Sequence, residues 1–197
     1  MINFLKEKIL ENISVKKKLI VDKVINENIN KANNILYNCI KKNKKIMFCG
    51  NGGSCADAQH LATELSVRLR PHVNRKGINS IALSLDPAYL TACGNDYGFE
   101  NIYSRSIEAL SKKGDILIAI STSGDSKNII KAIQAAKKNG VKTISFLGSN
   151  GGKAKGIADI DIIVPSKITA RIQETHIFLG HIMLEILENR LLKKGYI

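Results

Sequence analysis

The stretch KKIMFCGNGGSCADAQHLATEL, residues 44–65, decides how the chain is read. Two lysines lead into the apolar run IMFC (46–49). Glycines and an asparagine follow, and a helix-forming segment opens at Ser54. A short apolar run bounded by a glycine turn fits a buried strand, and the segment after it has the composition of a helix. The same grammar recurs downstream. Apolar runs fall at 78–83, 116–120, 141–147 and 160–164, with helical stretches near 54–70, 86–94, 99–111 and 126–139 and a last amphipathic segment at 169–194. Gly140, directly before VKTISFL, is placed to stop a helix. Several strands are nearly continuous in hydrophobicity, which means both of their faces are covered. These features predict an α/β fold with a doubly wound, flavodoxin-like sheet of five parallel strands.

Upstream, Phe4, Ile9, Ile13, Leu19, Val21, Ile25, Ile29, Ala32, Leu36 and Ile40 recur at helical spacing over residues 4–42. They predict one or two helices whose apolar stripe must pack on something, either the chain's own core or another copy. We expect a single domain over 1–197, with a helical segment at 1–43 and an α/β core at 44–197. No internal repeat or low-complexity linker interrupts it.

Bulk properties narrow the function classes. With 197 residues and 44% hydrophobic content the chain can build a full core without metals or disulfides. No run of about 18 apolar residues predicts a membrane span, and the N-terminus lacks the signature of a secretory signal. The expected location is the cytoplasm. Cys39, Cys49, Cys55 and Cys93 form no CxxC or zinc-finger spacing, so reduced, mostly buried thiols are expected. The net charge of +13 raises a nucleic-acid role, but the lysines sit in small groups at expected helix ends, aromatics are only 5%, and there is no Trp. A solvated lysine-rich surface is the expectation, with a field that attracts phosphorylated small molecules.

In a doubly wound sheet, ligands bind where strands end and helices begin. Two such loops stand out. GNGGS (50–54) permits close backbone approach, and Ser54 can cap the following helix; a plain turn explains it equally. STSGDS (121–126) follows the run ILIAI and offers four hydroxyls in six residues at a helix start, which suits a phosphate held without metal or lysine. His60 and Glu64, at i and i+4, share one helix face. In the last helix Gln173 and His181 lie within about 80° of each other, while His176 points about 140° away from His181 and is left out of the site. Taken separately, these four residues also fit a surface pair and a structural histidine.

Together, GNGGSCADAQHLATEL, GNDYGF (94–99), STSGDS and ARIQETHIFLGH (170–181), in this order, resemble the phosphoheptose isomerases of the sugar-isomerase (SIS) fold. The resemblance runs from about residue 45 to 190. It implies a ketose–aldose isomerisation of sedoheptulose 7-phosphate to D-glycero-D-manno-heptose 7-phosphate through an enediol. That reaction opens the route to nucleotide-activated heptose for lipopolysaccharide, capsule or other surface polysaccharide. It further implies a homotetramer with sites shared between subunits and one zinc ion per subunit on His60, Glu64, Gln173 and His181. Implied substrate positions are Asn51, Gly52, Gly53, Asn95, Asp96, Ser121, Thr122, Ser123, Ser126 and Gln173, with Ser54, His60 and Glu64 on the same pocket. Glu64 and His181 are the implied catalytic pair. The rival is a non-catalytic SIS tetramer that binds the bacterial replication initiator; its family lacks the Glu and His that stand here at 64 and 181. Neither nucleic acid nor membrane is an expected partner.

Overall fold

A computed structural model describes residues 2–197. Five strands, β1 (Ile46–Gly50), β2 (Ser80–Ala82), β3 (Ile116–Ser121), β4 (Lys142–Gly148) and β5 (Ile160–Val164), form one sheet in the order β2-β1-β3-β4-β5. Every neighbouring pair is parallel. This is the flavodoxin-like order, whose switch point lies between β1 and β3. Five helices accompany the strands: α3 (Gly53–Ser66), α4 (Pro87–Tyr97), α5 (Ile102–Leu110), α6 (Lys127–Lys138) and α7 (Thr169–Lys193). Two more, α1 (Ile2–Val21) and α2 (Lys23–Lys41), precede β1.

Side chains of a strand alternate between faces, and here the alternation sorts the core into two layers. Ile46, Phe48, Ile116, Ile118, Ile144 and Phe146 pack with α2, α3 and α7. Met47, Cys49, Leu117, Ala119 and Leu147 pack with α4, α5 and α6. The second layer also takes in the hydroxyls of β4. Thr143 donates to Asp159 at 2.8 Å and Ser145 to Asp161 at 2.5 Å, so both are buried with partners.

The predicted elements hold with shifted ends. The 54–70 stretch stops at Ser66, and residues 67–79 cross to β2 irregularly. The 78–83 run pairs only over Ser80–Ala82. The 99–111 stretch divides into a 3₁₀ turn (Phe99–Asn101) and α5. At the other end of the chain the N-terminal stripe is two helices. Asp22 separates them because its carboxylate accepts the Ile25 N–H at 3.0 Å, capping α2 and ending α1. Lys41, Lys137, Lys138 and Lys193 do occupy last helical turns, where cations suit the helix dipole. All four cysteines are free, three of them buried, and burial pushes the Cys39 thiol up to about 12. Among the described residues no helix is long and apolar enough to cross a membrane.

His176, set aside in the sequence, is wholly buried on α7. Its Nε2 lies 2.9 Å from the Leu147 carbonyl at the end of β4, its ring tilts against Phe146, and its Nδ1 has no partner. Burial lowers its pKa to about 4; the Leu147 hydrogen bond opposes this and the Lys16 charge adds to it. The folded value lies below the unfolded one of about 6.5. Stability is therefore full above pH 6.5 and falls as the pH drops from 6.5 toward 4, where only the unfolded chain takes the proton. Urea midpoints at pH 7 and pH 5 should show this loss, and His176→Gln should flatten it. An unchanged slope in the variant would place the acid sensitivity elsewhere.

Candidate active site

The strand ends bring the two loops together. Gly50 pairs with Ile120, and Ser121 with Leu147, so the turns after β1, β3 and β4 emerge side by side. Across the switch point, Asn51 and Asn128 exchange two amide hydrogen bonds of 2.9 and 2.8 Å, tying GNGGS to the first turn of α6. Asn128 escaped the sequence reading, because nothing in SKN distinguishes it from an ordinary helix residue.

Ser54 does not cap α3. Gly52, with φ +54°, takes the cap position without a side-chain bond, and Ser54 is buried inside the first turn. Because Gly52 supplies the turn with positive φ, the helix starts two residues earlier than a serine cap would place it. At α6, Ser126 occupies the cap position but its hydroxyl makes no capping bond.

In STSGDS, the Ser121 hydroxyl accepts the Gly124 N–H at 3.1 Å and lies 3.4 Å from the Ser126 hydroxyl. Ser123 accepts the Asp125 N–H. Gly124 turns at φ +72°, and a Cβ there would strike the backbone of Gly151 and Gly152. The loop is thus seated on the turn after β4, with the Ala154 N–H donating to the Gly124 carbonyl at 2.8 Å.

Helices α3 and α7 run side by side in the same direction. At their N-terminal ends the Gln173 carboxamide lies where a Gly53 side chain would be. One level down, Gly180 receives Leu61, a contact any side chain at 180 would block. Beside it, His60 Nε2 and His181 Nε2 are 3.0 Å apart, and His60 Nε2 is 3.1 Å from Glu64 Oε1. One ligand atom from each of His60, Glu64 and His181 falls within 4.8 Å of the other two. Glu64 Oε2 is buried without a partner. Two imidazole nitrogens and a carboxylate oxygen at these separations fit a tetrahedral cation, whose ligands stand roughly 3.3 Å apart at zinc–nitrogen distances near 2.0–2.1 Å.

Not every expected residue joins this group. Gln173 stands about two turns, ~12 Å of helix, from His181, and among the described residues no hydrogen bond links it to His60, Glu64 or His181. Asn95 and Asp96 are exposed near the end of α4 and bond to each other at 2.8 Å; no hydrogen bond joins them to either loop among the described residues. Asp57, one turn before His60, was missed. It is buried, its Oδ2 lacks a partner, and it shares a cavity of about 320 Å³ with Ala170, Gln173, Glu174 and Ile177. Burial pushes its carboxyl up to about 6, against the opposing charge of His60.

With this geometry in place, comparison with known proteins is direct. A family model described as SIS domain matches residues 12–148, so the chain is a SIS-domain protein. The phosphoheptose isomerase of Leptospira biflexa is 50% identical over 164 residues, covering 83% of this chain and 84% of its own length. That of Clostridium acetobutylicum is 44% identical over 189 residues, covering 96% and 95%. The solved structure of phosphoheptose isomerase GmhA from Neisseria gonorrhoeae superposes with a TM-score of 0.86 at 37% identity, over 95% of this chain and 98% of that one. The chain belongs to the phosphoheptose isomerase family.

Proposed function

We propose that this chain interconverts sedoheptulose 7-phosphate and D-glycero-D-manno-heptose 7-phosphate. The observation that carries the reading is the convergence of Glu64, His60 and His181 on one point of the α3–α7 seam, about two turns along α3 from the turn after β1. In family terms, Ser121, Thr122, Ser123 and Ser126 hold the phosphate through hydroxyls and free N–H groups. Asn51, Gly52, Gly53 and Ser54 form one wall, and Gln173, against Gly53, meets the sugar hydroxyls. Asn95 and Asp96 contribute as substrate contacts from α4.

The isomerisation removes a proton from C1 of the ketose and returns one to C2, while a proton passes from O1 to O2. Glu64 takes the carbon proton and gives it back. His181 serves the oxygens. Each acid–base group of this kind contributes about 10²–10⁴-fold. Zinc on His60, Glu64 and His181 would polarise the carbonyl oxygen when bound; Gln173 is the fourth ligand that the family resemblance implies. A carboxylate that is both ligand and base divides the work between its oxygens. Glu64 Oε1 faces His60, whereas Oε2 is buried without a partner.

The isomerase assay with and without added Zn²⁺ tests the reading; aldose formation is expected, and its absence in both would overturn it. Protein purified without chelator should carry zinc, and His60→Ala should lose it. Equal metal content in the two would remove His60 from the ligand set. The replication-initiator rival predicts capture of that initiator and no aldose.

Assembly is supported by α1, where Ile2 (84% exposed), Leu5, Ile9, Leu10 and Ile13 present an apolar face to solvent in the protomer. A homotetramer covers that face and allows sites shared between subunits. Light scattering should return four times the protomer mass; a monomer would overturn the assembly.

A further inference from the structure

Beyond the reacting groups, the α3–α7 seam ends in a buried ionic clamp. Glu188, on α7, is seven residues after His181 and therefore on the same helix face, two turns on. Its carboxylate is 1% exposed and takes two arginines, with Arg75 Nε at 2.5 Å on one oxygen and Arg70 Nε at 2.6 Å on the other. The Arg75 side chain is fully buried, and its remaining nitrogens are spent on backbone carbonyls. Nη2 donates to Glu64 at 2.7 Å, while Nη1 donates to Leu65 at 2.9 Å and Lys76 at 3.1 Å. Arg70 Nη2 donates to Asn189 at 2.7 Å. One guanidinium thus joins the main chain of Glu64 itself to a carboxylate rigidly placed below His181.

We propose that Arg75 and Glu188, with Arg70, are positioning residues that fix the register of α3 against α7 and so hold Glu64 opposite His181. The seam has three levels. Gln173 over Gly53 is at the top, and Leu61 in the Gly180 notch, with the two histidines, is in the middle. Both are contacts of apolar atoms or flexible side-chain ends, which tolerate sliding. The clamp at the bottom is directional, since a planar fork satisfied on both sides accepts one alignment. A slide of about 1 Å between reacting groups costs on the order of 10²-fold in rate. The carbonyls of Glu64 and Leu65 lie in the last turn of α3, where they have no helical donor. Arg75 therefore closes that helix end at the same time.

This inference rests on the isomerase reading, so turnover by the parent protein is established first; a parent without turnover defeats that reading rather than the clamp. Glu188→Gln keeps the shape and loses the charge that holds both forks. Arg75→Lys keeps the charge and loses the fork. Arg75→Met/Glu188→Leu, made together with Arg70→Met, replaces the whole ionic group by apolar volume, an exchange that in buried settings is often neutral or stabilising. Kinetics are measured well below each variant's Tm. The expected result is a kcat lowered about tenfold or more with KM within about threefold of the parent, in the combined variant even where its Tm equals the parent's. Arg75→Lys should fail to rescue. A role confined to stability predicts the opposite, with kcat returning when Tm does. Any folded variant of the three with parental kcat overturns the proposal.

Discussion

Glu64→Gln is expected to lower kcat by about 10³–10⁴-fold while the fold and the affinity for sedoheptulose 7-phosphate stay near the parent's. The amide matches the carboxylate in shape, so the 3.1 Å approach to His60 can persist through the remaining oxygen. What disappears is the carboxylate's capacity to accept a proton, because an amide is not a base at neutral pH. Gln keeps the volume and one oxygen acceptor of the side chain, so kcat should carry most of the loss and KM should move less. The check is the rate of aldose formation beside a thermal melt and calorimetric titration with the ketose. Turnover within tenfold of the parent would sink the assignment. Asp57 would then be the carboxylate to test, since it lies one turn up α3 and is pushed up to about 6 by burial.

Much of the fold could be read in the sequence because its determinants are local. IMFC, ILIAI and the other apolar runs are buried on both sides and so look uniformly hydrophobic, and glycine turns mark their ends. Element boundaries shifted where one side chain decides. Asp22 divides the N-terminal stripe, and Gly52 starts α3 in place of Ser54. The site was less legible for a different reason. His60 and His181 meet across 121 positions, a separation that periodicity cannot express, and only the joint resemblance of four motifs linked them. Arg75 sits in an irregular segment and Glu188 on a helix rich in charges, so neither differs in sequence from a surface residue. Their burial exists only once α3 and α7 are docked. The same holds for Asn51 and Asn128, whose paired amides identify themselves by geometry alone. Of the two glycine-bearing loops, the first is a seat for Gln173, while the hydroxyls are in the second.

That second loop yields the other large expected effect. Gly124→Ala should cost about 2–4 kcal/mol of stability and raise KM for the sugar phosphate by about 10²-fold. The residue turns at φ +72°, and the added Cβ meets the Gly151 carbonyl and the Gly152 nitrogen. These are backbone atoms and cannot rotate out of the way, unlike the Gln173 side chain that faces Gly53. Relief requires STSGDS to lift from the turn after β4. That breaks the Ala154 N–H to Gly124 bond and the Gly124 N–H to Ser121 bond, and it displaces the Ser121 and Ser126 hydroxyls, which lie 3.4 Å apart. Gly156→Ala is the control. It has φ +80° but nothing within 4 Å of a Cβ, so it should show the backbone strain alone, about 1 kcal/mol, with KM unchanged. Urea unfolding and initial rates on both variants separate the two causes. A Gly124→Ala protein with parental KM would show that the phosphate is not held by this loop.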